Sequence, residues 1–95
     1  MLTSMASSTM AGHVIRDACM NSGRPAASAK LCGCIQKVAN GHLNRKDQRL
    51  AATFFRNPHK AQEIRQSDNR THESFWSRYK VFGNTAEASC RSYTG

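Results

Sequence analysis

The chain has 95 residues, four cysteines and a formal charge of +8, from 14 Lys and Arg against 6 Asp and Glu. That length allows one domain with a modest core and no more. No apolar run approaches the roughly eighteen residues a membrane-crossing helix needs, and the charge favours anionic partners over a cationic ligand, which would meet a repulsive field.

Residues 1–9 read as a Ser-rich flexible lead-in, and Met1 to Val14 has neither a basic n-region nor a sustained apolar stretch, so it makes a poor export signal. Residues 10–92 read as a single helical domain and residues 93–95 as a tail. Pro is scarce and no Val/Ile/Thr alternation signals a strand, whereas helical periodicity recurs throughout. The first helix is expected from about Thr9 to Asn21, with Ala11, Ile15, Ala18 and Cys19 on one face. Turn chemistry follows at Asn21-Ser22-Gly23, and Pro25 suits the opening of a second helix that runs to about Asn40. Leu31, Ile35 and Val38 form its apolar stripe, and Gly41 stands where a C-terminal cap is expected.

The third helix opens at Asn44 as N-cap, carries Leu50, Ala51, Phe54 and Phe55 inward, and stops near Arg56. Asn57-Pro58 restarts a short, mostly polar fourth helix, in which only Ala61 and Ile64 can pack. After a polar linker, Phe75, Tyr79, Phe82, Ala86 and Cys90 recur at helical spacing along one face. Gly83 offers a break in that last helix, because Asn84 and Glu87 could cap a new segment. The fold class expected is all-α, a small orthogonal or bundle-like array of four to five short helices stapled by two disulfides.

An even number of cysteines in so short a chain suggests a disulfide framework and an oxidising compartment, periplasmic or secreted. Within Cys32-Gly33-Cys34 the two cysteines point about 200° apart on a helix, so they cannot readily bond to each other. Each faces a different neighbour, which makes the second helix central, tied to the first through Cys19 and to the last through Cys90. Sequence alone leaves three connectivities open. An antiparallel hairpin of the first two helices favours Cys19–Cys32 and Cys34–Cys90, because Cys32 lies nearer the connection than Cys34. The competing metal reading, a zinc site from three cysteines and His13 or His42, has poor spacing. No resident metal or cofactor is expected.

Arg45, Arg49 and Arg56 fall within about 40° of one another on the third helix, and Lys46 adds to this local concentration of charge. A basic stripe can track phosphates or carboxylates, though a charged helix face is also the ordinary way to be soluble. No aromatics interleave with these cations for base stacking, and no nucleic-acid fold signature is present. Trp76 sits about 100° from the Phe75 stripe, half exposed, and is a candidate partner contact together with Arg45, Lys46, Arg49 and Arg56. The histidines, His13, His42, His59 and His72, are scattered. Asp17, Asp47 and Glu63 have capping or surface explanations, so no catalytic residue is assigned and an enzyme is not expected.

Several blocks in order, L-C-G-C-I-Q-K-V-A at Leu31 to Ala39, D-Q-R-L-A-A-T-F-F at Asp47 to Phe55, N-P-H-K-A-Q-E-I-R at Asn57 to Arg65 and F-W-S-R-Y-K-V-F-G at Phe75 to Gly83, closing with Cys90, carry a resemblance. The chain resembles a family of short, exported bacterial helical proteins with four cysteines, of uncharacterised function and sometimes labelled "arginine transporter". The resemblance implies export, although this chain departs from the family in lacking a clear signal. The label fails on physical grounds. A chain of this size without a membrane span cannot form a transport path, and an arginine-binding slot needs acidic and aromatic groups where this chain is basic. The functional expectation is a non-enzymatic exported binding or accessory module for an acidic protein, glycan or lipid surface. The alternative is a small basic nucleic-acid-binding protein with free or zinc-bound cysteines.

Overall fold

A computed structural model describes residues 13–93. The expected lead-in at 1–9, the start of the first helix at 9–12 and the last two residues of the tail lie outside the described residues. Among the described residues five α-helices follow one another: α1 Val14–Met20, α2 Ala29–His42, α3 Arg45–Arg56, α4 Pro58–Arg65 and α5 Arg70–Cys90, with a 3-10 turn at Arg91–Tyr93. No strand occurs among the described residues, and the fold is all-α.

Helix α1 packs on α2 and α3, α3 on α4, α4 on α5, and α5 back on α2, so the helices close a circuit around one core. That core is Ile15, Ala39, Leu43, Ala51, Ala52, Phe54, Ile64, Phe75 and Phe82. Phe54 from α3 is its aromatic hub. Its ring meets Phe75 edge-on at 6.0 Å, Tyr79 edge-on at 5.2 Å and Trp76 at 6.5 Å, all from α5. Edge-to-face pairs place a positive ring edge on a negative face, which adds to the area these rings bury.

Two disulfides staple the circuit at α2. Cys19 of α1 is bonded to Cys32, and Cys90 at the end of α5 is bonded to Cys34. The divergence of Cys32 and Cys34 around α2 therefore does send them to different neighbours, in the pairing that the hairpin favours. In the chain-entropy model, sequence separations of 13 and 56 correspond to about 3 and about 4 kcal/mol of constraint on the unfolded chain.

Three boundaries differ from expectation. Helix α2 does not open at Pro25. Gly23 takes φ 77°, a turn holds Ala27 N–H on the Arg24 carbonyl at 3.0 Å, and the helix begins after Ser28. Ser28 has extended backbone angles and its Oγ accepts from Leu31 N–H at 3.1 Å, which satisfies a donor that Pro25 could not help. Gly41 is not a cap either. The helix runs on to His42 because Leu43, only 4% exposed, must reach the core, and its N–H closes the last turn on the Ala39 carbonyl at 2.8 Å. Gly83 does not interrupt α5, whose 21 residues are continuous. Phe75, Phe82 and Cys90 bury one unbroken face, and that packing outweighs the roughly 1 kcal/mol that glycine costs in a helix interior.

Candidate functional site

The cationic face on α3 is built by ordinary helix logic. Asn44 caps the helix, its Oδ1 accepting from Asp47 N–H at 2.8 Å. Ala51, Ala52 and Phe54 then turn inward, which leaves Arg45, Lys46, Arg49 and Arg56 exposed. None of these four joins an ion pair among the described residues. Arg45, Arg49 and Arg56 share a stripe that lies about 140–180° around α3 from Phe54. Trp76 is half-buried, with its ring 5.1 Å from Tyr79, and packs on the Phe54 side. The structure thus brings the three arginines to one face and leaves Trp76 on the other.

Arg78 grips Asp47. Its Nε and Nη2 donate to Oδ2 and Oδ1 at 2.8 and 3.0 Å, a two-pronged contact between α5 and α3. The Asp47 side chain is 7% exposed, so it is an internal anchor and not the surface or capping carboxylate its sequence position suggests. The hydrogen bonds that Arg78 donates to that carboxylate raise its pKa further above its ordinary value; the carboxylate's charge adds to the effect and partial burial opposes it. A hollow beside the pair is walled by Lys46, Leu50, Thr71, His72 and Phe75. His72 is held there by a 2.8 Å contact between Nδ1 and Ser67 Oγ. The other acidic groups have surface roles: Glu63 faces His59 at 3.7 Å and Lys60 at 3.8 Å.

A buried amide network went unread in the sequence. Gln36 Oε1 accepts from Arg16 N–H at 2.9 Å, which serves a free donor in the first turn of α1, where His13 provides no side-chain cap. Gln36 Nε2 donates to Gln48 Oε1 at 2.8 Å and to Asn40 Oδ1 at 2.9 Å. Gln48 Nε2 donates to the Leu43 carbonyl at 3.0 Å and to Asn40 Oδ1 at 3.2 Å. The network joins α1, α2 and α3, and no buried side-chain polar atom among the described residues is left unsatisfied. The signal was present in the sequence: Gln36 sits four residues after Cys32 and three before Ala39, on the face that packs.

All four cysteines are consumed in disulfides, so in this state none offers a thiolate to a metal. Among the described residues no cluster of three His, Cys, Asp or Glu side chains forms. No helix of the described residues is long and apolar enough to cross a membrane. Comparison with family models, with curated proteins and with solved structures returned no match.

Proposed function

We propose that the protein is an exported, non-enzymatic binding module whose exposed α3 stripe engages an acidic partner in an oxidising compartment. The observation that carries this reading is the conjunction of three exposed arginines on one face of α3, unpaired among the described residues, with a scaffold stapled by two disulfides. Opposite-sign surfaces steer encounter and fix register, and a stapled scaffold loses little conformational entropy on binding. The disulfides and the resemblance to exported four-cysteine bacterial proteins support the compartment.

Polyglutamate and duplex DNA serve as probes. Binding to polyglutamate should weaken steeply from 50 to 300 mM salt, because the screening length shortens as salt rises. Reversing both arginines in Arg49→Glu/Arg56→Glu should lower it at least tenfold with unchanged helical circular dichroism. Submicromolar, sequence-selective DNA binding at physiological salt, lost in the same double variant, would instead establish the nucleic-acid alternative.

A further inference from the structure

A second cationic surface lies on other elements, along the outer side of α2. Two shallow hollows of about 330 and 360 Å³ adjoin there, and Gly33 and Lys37 line both. Lys30 and Tyr93 flank the first; Arg16 and Asn40 flank the second. Among the described residues no carboxylate lines either hollow, and Lys30, Lys37 and Arg16 form no ion pair.

The floor and the ends of this groove constrain its occupant. At Gly33 an added Cβ would meet nothing within 4 Å beyond its chain neighbours and the adjoining backbone of its own helix, so the helix forms an open floor at the middle of the groove. Asn40 Oδ1 is held by two interior donors, Gln36 Nε2 and Gln48 Nε2. The amide is therefore fixed, and its Nδ2 has no partner among the described residues. Tyr93, 48% exposed as a residue, offers an aromatic side chain at the other end. Lys30 and Lys37 stand seven residues apart on α2, about 10 Å along the axis, a spacing that suits successive charges along an extended ligand.

We infer that this groove binds a segment of an acidic polysaccharide, with anionic groups on Lys30, Lys37 and Arg16, a hydroxyl or carbonyl on Asn40 and a sugar ring against Tyr93. A linear glycan combines spaced charges with hydrogen-bonding groups and a ring face, the three features the groove presents in a row. A single-stranded nucleic acid would need successive stacking platforms, whereas among the described residues the two rings that line these hollows, Tyr93 and the His13 imidazole, belong one to each hollow. A bilayer is flat and would need apolar anchors that the groove lacks. The inference uses residues other than those of α3 and stands apart from the α3 reading.

The test is calorimetric titration of the full chain with a galacturonate octamer and a heparin octamer, one bearing carboxylates and the other carrying sulfates as well. Neutral maltooctaose is the control. At least one acidic octamer should bind, and maltooctaose should not. Lys30→Ala/Lys37→Ala should weaken binding at least tenfold. Gly33→Leu changes no charge and fills the floor; it should weaken binding as much, with a Tm no lower than that of the parent chain. Arg49→Ala/Arg56→Ala, which removes the same charge from α3, should change it less than threefold. The inference is overturned if neither acidic octamer binds, if Gly33→Leu binds like the parent, or if the α3 double variant loses as much as the α2 one. It is overturned equally if phosphatidylglycerol vesicles or an oligothymidine bind more tightly with the same Gly33→Leu sensitivity.

Discussion

Asp47 illustrates how one residue's surroundings decide its role. Its backbone N–H is capped by Asn44, and its carboxylate, almost wholly buried, accepts both prongs of Arg78. Removing Arg78 leaves a buried acceptor without its donors, which costs about 1–3 kcal/mol. Arg78→Ala should accordingly lower the urea midpoint, while Lys80→Ala, two residues on and exposed, should leave it nearly unchanged. Tyr79 supplies a pH signature. Burial raises its pKa above 10.0, and the positive charge of Arg24 partly opposes that shift. The unfolded chain then ionises first, so the stability Tyr79 contributes is complete below pH about 10 and is lost as pH rises through the folded value. In a Tyr93→Phe variant Tyr79 is the only tyrosine. Its phenolate absorbance should appear above the range of free tyrosine, and a midpoint at the ordinary value would refute the burial argument.

Among the elements, α5 depends most on distant parts of the chain. Its hydrophobic face meets α3 through Phe54 and its end is tethered to α2 through Cys34. Gly83 is exposed, lies in the helix with no positive φ, and has open space where a Cβ would sit. Gly83→Ala should therefore raise stability by up to about 1 kcal/mol, since alanine restricts the unfolded chain and favours helix. Cys90→Ser should cost several kcal/mol under oxidising conditions, against almost nothing for Lys60→Ala; equal melting temperatures would refute the staple's role. The two disulfides also differ in access. Cys19 and Cys32 are 4% and 0% exposed, whereas Cys34 is half-buried and lines an open hollow. Attack by an external thiol requires access to a sulfur. Graded reduction followed by alkylation and mass mapping should label Cys34 and Cys90 before Cys19 and Cys32.

At the scale of the whole molecule, the closed circuit of helices gives a small chain one shared core, and α2 carries both covalent staples. The two cationic surfaces sit on different elements of that circuit, which is why charge removal on one is predicted to leave the other's binding intact. Much of this was legible in the sequence. Helical periodicity, the thin supply of β-branched alternation, the Asn44 cap and the Phe75 to Cys90 face all depend on local spacing, and the angle between Cys32 and Cys34 is fixed by helix geometry alone. The three arginines of α3 needed no more than that same angle to be placed on one face.

The local rules failed where distant residues compete. Gly41 and Gly83 are locally good stops, but burial of Leu43 and the tether at Cys90 hold the helix through each. Asp47 looks like a surface or capping residue until α5 arrives with the Arg78 donors that make its burial tolerable. The groove along α2 is invisible in sequence, because its residues come from α1, α2 and the final turn and meet only when the disulfides and the amide network fix those elements together. The sequence by itself determined which segments are helical, which faces are apolar and how the cysteines diverge, since each follows from the 3.6-residue period. Only the tertiary structure decided which polar groups are buried, where the helices end and which cations share a surface, because those depend on the free energy of contacts between residues far apart in the chain.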